Sequence, residues 1–218
     1  MAQAADPAGV VFDMDGVLVD SGQHHRAAWS AALAELGETP AAGEFWRLTI
    51  GRPAHEAVSL LLGRAISPAE AWRVARLKQA HYGKLARQGP LPVPGVENFL
   101  SVLDQHGVPR AVATSASRFE AERLLGRLGL APHFEVVITA EDVRRGKPDP
   151  EAYLKAARQI GVAPRDCLVF EDALVGAASA RAAGMRVIGL TTAHTAAELM
   201  AAGAERAITD FEGLSWPP

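Results

Sequence analysis

The sequence has a single cysteine, Cys167, among its 218 residues. One cysteine cannot form an internal disulfide, so we expect a cytoplasmic protein in a reducing compartment. An excess of positive charge is also absent, since 22 Lys and Arg residues face 25 Asp and Glu residues, which gives a formal net charge of −3. This balance excludes a strongly basic protein that binds nucleic acid.

Long apolar segments are missing as well. None approaches the roughly 20 residues that span a bilayer, and residues 1–11 lack the basic start and apolar core of a secretory signal. We therefore expect no membrane partner. Sustained heptads are also absent, so a monomer is the expected state. The remaining composition, 49% hydrophobic and 22% charged, is typical of a globular protein.

Short apolar segments alternate with helical patterns over most of the chain. Strands are predicted over 8–12, 111–113, 136–138, 168–170, 187–190 and 207–208, and helices over 118–128, 151–160, 175–183 and 196–202. Repeated βα units predict a parallel sheet with helices on both faces. The predicted fold class is therefore α/β, with a doubly wound, Rossmann-like core.

A helical insertion is predicted to interrupt this core after its first strand. Residues 20–88 show helical patterns and no convincing strand, with one helix stopping at Gly37, a second over 53–62 and a third starting from a capping box at Ser67. The proline-rich segment 89–95 predicts a stiff linker. We expect a core domain of residues 1–19 and 90–218, a helical cap domain of residues 20–89, and hinges near 20–22 and 88–94.

Polar side chains follow four of the predicted strands, where ligands bind in sheets of this kind. They are Asp13 and Asp15, Thr114 and Ser115, Lys147, and Glu171 and Asp172. Crowded carboxylates require a cation, and hard oxygen ligands suit Mg²⁺. A carboxylate can attack phosphorus, a second can protonate the leaving oxygen, and a lysine and a hydroxyl can hold phosphoryl oxygens. Together these residues predict phosphoryl transfer.

The same residues resemble the signatures of the haloacid dehalogenase-like superfamily. Residues 13–21, Asp-Met-Asp-Gly-Val-Leu-Val-Asp-Ser, are similar to its first signature, and Ser115, Lys147 and the pair Glu171-Asp172 fit the other three in order. The resemblance covers nearly the whole chain, including the cap. It implies that Asp13 is the nucleophile and Asp15 the general acid and base.

The resemblance also implies a set of ligands. Mg²⁺ would be held by Asp13, the carbonyl of Asp15 and Asp172, with Glu171 close by. The phosphoryl group would be bound by Lys147 and Ser115, together with Thr114 and Ala116 on either side of Ser115. Dehalogenases of the superfamily lack the second aspartate, so the presence of Asp15 argues against dehalogenation.

Within the superfamily, the chain is most similar to the β-phosphoglucomutase-like group, which also contains many sugar-phosphate phosphatases. His25 and Lys78 match a cap histidine and a cap lysine of that group, and Arg52 is a further candidate for substrate contact. Ala54 stands where the mutases carry a substrate-binding arginine, and Ala173 replaces a usual serine. The first difference argues against a mutase.

Our main hypothesis is therefore a Mg²⁺-dependent phosphatase that hydrolyses a small phosphorylated metabolite, such as a sugar phosphate, through an aspartyl-phosphate. The alternatives are a β-phosphoglucomutase-type isomerase and a non-catalytic phospho-acceptor module. His25 lies one turn before Trp29, so a packing role for it stays open. Trp29, Trp46 and Trp72 are interpreted as the core of the cap rather than as a platform for sugars.

Overall fold

The computed structural model describes residues 6–41, 44–86 and 89–218. The strands are β1 (Gly9–Phe12), β2 (Val19–Asp20), β3 (Leu91–Pro92), β4 (Arg110–Ala113), β5 (Val136–Ile138), β6 (Cys167–Glu171), β7 (Arg186–Leu190) and β8 (Arg206–Ile208). The helices are α1 (Gly22–Leu36), α2 (Ala54–Leu62), α3 (Pro68–Leu85), α4 (Val96–Gln105), α5 (Arg118–Arg127), α6 (Glu151–Gln159), α7 (Leu174–Ala182) and α8 (Ala196–Ala201).

Six of the strands form one parallel sheet in the order β5-β4-β1-β6-β7-β8. Strand β1 lies between β4 and β6, and its four residues are fully buried. Alternate side chains of β1 point to opposite faces of the sheet. Phe12 packs with α4 and α5 on one face, while Val11 packs with α6 and α7 on the other. The predicted doubly wound α/β core is therefore confirmed.

The segment between β2 and β3 carries helices α1, α2 and α3, as the predicted insertion requires. Its apolar centre comprises Trp29, Ala57, Val58, Leu61 and Val74. The predicted helix ends are present. Gly37 and Gly63 adopt left-handed backbone conformations after α1 and α2, and Ser67 caps α3 by accepting a hydrogen bond from the backbone N–H of Glu70.

Two short strands join this insertion to the core. Val19 pairs with Pro92 and Asp20 with Leu91 in an antiparallel ribbon. The interpretation of segment 89–95 as lacking regular structure was wrong at Leu91–Pro92, because proline is tolerated in a strand that pairs along one edge only. Asp20, in the segment for which helices and no strand were predicted, also belongs to this ribbon. Gln88, the first residue of the predicted hinge 88–94, lies outside the described residues.

Helix α4 was not predicted. Its buried side chains, Val96, Phe99, Leu100 and Leu103, follow the helical spacing and pack against the sheet. No helix among those of the described ranges is long and apolar enough to cross a membrane.

Candidate active site

The carboxyl ends of β1, β4 and β6 open into a cleft of about 560 Å³ beneath the helical insertion. Asp13, Asp15 and Asp172 line this cleft, as do the consecutive residues Thr114, Ser115 and Ala116. The insertion contributes three further residues that were predicted from the sequence: His25, Arg52 and Lys78. The structure therefore brings residues from distant parts of the chain together around one space.

Lys147 lies at the buried base of the site, only 1% exposed. Its Nζ donates hydrogen bonds of 2.6 Å to Oδ1 of Asp13 and of 2.6 Å to Oε1 of Glu171. Burial by itself lowers the pKa of the Lys147 ammonium, but Asp13 and Glu171 raise this pKa well above its ordinary value. Asp13 and Glu171 therefore favour the charged form of Lys147.

Glu171 is fully buried and binds several donors. Besides Lys147, its Oε1 accepts a hydrogen bond of 2.9 Å from the Tyr153 hydroxyl, and its Oε2 accepts one of 2.7 Å from the backbone N–H of Ala173. A Cβ at position 176 would clash with Oε1 of Glu171, so only glycine fits beside this carboxylate. Glu171 thus holds Lys147 and the start of α7 in place.

Asp13, Glu171 and Asp172 form a buried cluster in which one oxygen of each lies within 4.8 Å of the others. Burial raises the pKa of Asp13 to about 7, although Lys147 opposes this rise. Burial, followed by the charges of Glu171 and Asp13, also raises the pKa of Asp172. Oδ1 of Asp172 is buried and has no hydrogen-bond partner. This unpaired oxygen and the crowded anionic charge fit a divalent cation with oxygen ligands.

The carboxylate of Asp15 is turned away from that cluster. Its Oδ1 accepts hydrogen bonds from the Ser21 hydroxyl at 2.5 Å and from Nε2 of His25 at 3.0 Å. Burial would raise the pKa of Asp15, but His25, the Ser21 hydroxyl and the charge of Lys78 lower it overall. Asp13 and Asp15 therefore have different electrostatic environments within one cleft, with the pKa of Asp13 raised and that of Asp15 lowered.

His25 connects Asp15 to the insertion. Nζ of Lys78 lies 2.8 Å from Nδ1 of His25, so the ammonium donates to Nδ1 and the proton on Nε2 points to Asp15. His25 also stacks on Tyr82, with ring centroids 4.3 Å apart. The packing role and the polar role that the sequence left open are thus both present in this one side chain.

Lys78 interrupts the apolar stripe of α3 and is only 4% exposed. Burial lowers the pKa of its ammonium. The ammonium lies 4.8 Å from the centre of the Tyr82 ring and 5.9 Å from that of Trp29. Lys78 therefore faces the cleft rather than bulk solvent.

Ser115 makes a contact that the sequence did not suggest. Its hydroxyl donates a hydrogen bond of 2.8 Å to the backbone carbonyl of Gly51, in the insertion. Gly51 has a φ of +74°, and a Cβ there would lie 2.6 Å from that of Ala173. Glycine at 51 and a small residue at 173 thus allow the insertion to rest on the core. Arg52, the next residue, is half-buried in the cleft wall.

A second contact between insertion and core lies farther from the sheet. Arg47 forms an ion pair with Glu198, in which its Nη2 lies 2.8 Å and 2.7 Å from the two carboxylate oxygens. Glu198 also accepts hydrogen bonds from the N–H and hydroxyl of Thr195, so it is fixed at the start of α8. No sequence pattern pointed to this pair, because its members are 151 positions apart.

The tryptophans divide into two classes. Trp29 is 2% exposed and belongs to the core of the insertion, as predicted. The same prediction was wrong for Trp46 and Trp72, which lie outside that core, although all three side chains line the cleft. Trp72 is 49% exposed and stacks on His55 with ring centroids 4.0 Å apart. Helical spacing identifies an apolar side chain but does not distinguish a packed core from a cleft wall.

Comparisons with known proteins agree with this arrangement. A family model described as a haloacid dehalogenase-like hydrolase matches residues 7–184. The validoxylamine A 7'-phosphate phosphatase of Streptomyces hygroscopicus subsp. limoneus is 37% identical over 212 residues, which cover 95% of each chain. The fructose-1-phosphate phosphatase YqaB of Escherichia coli K12 is 34% identical over 83% of this chain and 95% of its own.

Solved structures give the same result. A hydrolase from Pseudomonas syringae superposes with a TM-score of 0.86 at 31% identity and covers 94% of each chain. The resemblance expected from the four signatures is confirmed by the family model, by the relatives and by this structure. The chain belongs to the haloacid dehalogenase-like hydrolase family.

Proposed function

We propose that this hydrolase is a Mg²⁺-dependent phosphatase that acts on small phosphorylated polyols and sugars through an aspartyl-phosphate. One observation carries the proposal. Two aspartates of the same cleft have separate sets of partners, with Asp13 bonded to Lys147 within the carboxylate cluster and Asp15 bonded to Ser21 and His25. Relatives named as phosphatases of phosphorylated carbohydrates support the choice of substrate.

Asp13 is the proposed nucleophile. Its carboxylate oxygen attacks phosphorus, the bond from phosphorus to the ester oxygen breaks, and the departing alkoxide takes a proton from Asp15. Asp15 then removes a proton from water, which attacks the phosphorus of the aspartyl-phosphate. Inorganic phosphate and free Asp13 result, and each proton that Asp15 gives is recovered.

Asp13 and Asp172 would hold the metal, with the backbone carbonyl of Asp15 and the nearby Glu171. The metal supplies charge neutralisation for the phosphoryl oxygens in the transition state. The unpaired Oδ1 of Asp172 is the ligand atom that this structure leaves free.

The phosphoryl group is assigned to Lys147 and to the segment Thr114, Ser115 and Ala116. The Lys147 ammonium donates a hydrogen bond to Oδ1 of Asp13, the residue to which phosphorus would be attached. The Ser115 hydroxyl supplies a neutral donor for another phosphoryl oxygen, at a segment that leads into the N-terminus of α5.

We also propose that residues 20–89 form a cap domain and that residues 1–19 and 90–218 form the catalytic core. Closure of the cap brings His25, Lys78 and Arg52 over the substrate and excludes bulk water. A monomer suffices for this function, because every residue assigned here belongs to one chain.

A phosphorus NMR time course with Mg²⁺ tests the proposal. Hexose phosphates, hexitol phosphates and phosphoglycolate are incubated with wild type, Asp13→Asn and the control Asp166→Asn, a carboxylate before β6 at the opposite edge of the sheet. We expect inorganic phosphate from wild type and Asp166→Asn only. Conversion of β-glucose 1-phosphate to glucose 6-phosphate without phosphate release would establish a mutase instead. Activity that survives in Asp13→Asn would disprove the nucleophile.

A further inference from the structure

Glu120 is a buried carboxylate in the cleft for which the mechanism above has no use. It lies in the first turn of α5, where its backbone N–H donates to the hydroxyl of the capping residue Ser117 at 3.3 Å. Its side chain is 4% exposed and lines the cleft together with Asp15 and Lys78.

The side chain of Glu120 is incompletely satisfied. Its Oε1 is buried and has no hydrogen-bond partner. Buried acceptors nearly always have a donor, since an unpaired one has lost its water without replacement. The helix N-terminus favours a negative charge at this position but does not supply the missing donor. A donor from outside the chain would complete the environment of Oε1.

The groups that face Glu120 come from the cap. Burial lowers the pKa of the Lys78 ammonium, and the charge of Glu120 opposes this decrease. Burial raises the pKa of the Tyr82 hydroxyl, and the charge of Glu120 adds to this increase. Lys78 is already bonded to His25, and within the described residues no ion pair joins it to Glu120. The Tyr82 hydroxyl is likewise buried without a partner. A carboxylate acceptor of the core thus faces a cationic and phenolic wall of the cap.

We propose that Glu120 determines specificity by accepting a hydrogen bond from a hydroxyl of the substrate's leaving group. This inference rests on the proposed function and narrows its substrate class to phosphates of neutral, polyhydroxylated compounds. Such a leaving group has hydroxyl donors for Glu120 and hydroxyl oxygens for Lys78. A substrate with a carboxylate in this position, such as phosphoglycolate, would place two anions against each other in a desolvated cleft, so the enzyme discriminates against it.

The test compares Glu120→Gln with a matched control on the same helix. Glu122→Gln makes the identical change at a side chain that is 66% exposed. Values of kcat/KM are measured for a hexitol phosphate, for phosphoglycolate and for p-nitrophenyl phosphate, which has neither a hydroxyl nor a carboxylate on its leaving group. We expect Glu120→Gln to lower the value for hexitol phosphate about 3- to 10-fold, because the amide oxygen of glutamine accepts a weaker hydrogen bond than a carboxylate oxygen does.

For Glu120→Gln we also expect kcat/KM to change by less than about 2-fold with p-nitrophenyl phosphate and not to fall with phosphoglycolate. For the control Glu122→Gln we expect no change in kcat/KM with any of these substrates. An unchanged preference in Glu120→Gln, or equal losses for hexitol and p-nitrophenyl phosphates, would overturn the inference while the phosphatase function stands. Absence of hydrolysis by wild type would instead overturn the proposed function, and this inference with it.

Discussion

The hydroxyl of Ser115 and the backbone carbonyl of Gly51 are joined by a hydrogen bond of 2.8 Å that crosses from the sheet to the helical insertion. The hydroxyl proposed to bind the phosphoryl group therefore donates to a backbone carbonyl of the insertion. A phosphate that takes over this hydroxyl removes one of the contacts that hold the cap to the core. We therefore expect phosphate binding at Ser115 to affect the contact between the insertion and the core.

Replacement of Ser115 by alanine should weaken phosphate binding. We expect Ser115→Ala to lower kcat/KM about 10-fold or more, with weaker inhibition by inorganic phosphate, because a hydrogen bond to an anion is lost. Steady-state kinetics with phosphate as a product inhibitor would measure both effects. Ser101→Ala, which removes an exposed hydroxyl of α4, is the control. Unchanged inhibition by phosphate in Ser115→Ala would rule out this role.

Replacement of His25 by asparagine should affect proton transfer more than phosphorus attack. Without the proton on Nε2 the Asp15 carboxyl is misplaced, and turnover of alkyl phosphates should fall about 100-fold. The nitrophenolate leaving group needs little protonation. A rapid burst of nitrophenolate, equal to the enzyme concentration, should therefore precede slow turnover of p-nitrophenyl phosphate. Stopped-flow absorbance would detect it.

The control for this prediction is His81→Asn. His81 is also a histidine of the insertion, but its Nε2 pairs with Glu35 at 2.9 Å, away from the cleft. We expect normal kinetics from it. If His25→Asn slowed both substrates equally and gave no burst, His25 would not act through the proton of Asp15.

Loss of the Arg47–Glu198 ion pair should loosen the cap without harming the chemistry. The two side chains are 27% and 39% exposed, so solvent and salt weaken their attraction. We expect Arg47→Ala to raise KM about 2- to 5-fold, to leave kcat within about 2-fold, and to make KM less dependent on salt. Arg64→Ala, which breaks a pair within the insertion, should change none of these values. A double-mutant cycle with Glu198→Ala would isolate the pair from the capping role of Glu198.

Removal of one carboxylate from the cluster should abolish metal binding and relieve repulsion. Wild type should melt at a higher temperature with Mg²⁺ than with EDTA, since a ligand that binds only the folded state stabilises it. We expect this difference to vanish in Asp172→Asn. The metal-free variant should melt at or above the temperature of metal-free wild type. An undiminished Mg²⁺ shift in Asp172→Asn, measured by differential scanning calorimetry, would exclude Asp172 as a ligand.

Most of the core could be predicted from the sequence because the strands of a parallel sheet are buried on both faces and stand out as short apolar segments. Strand β5 was predicted with its observed bounds, and polar residues directly after β1 and β6 located the cleft. Helix α4 was not predicted although Phe99 and Leu103 follow helical spacing, because the prolines that precede it are typical of a linker. The two-residue strands β2 and β3 have no local signal, since each exists only through pairing with the other.

The candidate site divides in the same way. Asp13, Lys147 and Asp172 were predicted because their positions follow from the strands that precede them. Glu120 and Trp72 were not, because a helix residue faces a cleft only if another part of the chain forms the opposite wall. For these two residues that wall is made by elements tens of positions away.

The antiparallel pairing of Val19 with Pro92 and of Asp20 with Leu91 has a consequence for how this protein can evolve. The chain leaves the sheet and returns to it at adjacent positions, so the geometry of the sheet does not depend on the length or shape of the insertion between them. One insertion can be exchanged for another while Asp13 and Lys147 keep their places. New substrate preferences can then arise by recombination of whole segments, without any change to the catalytic residues that follow the strands of the sheet.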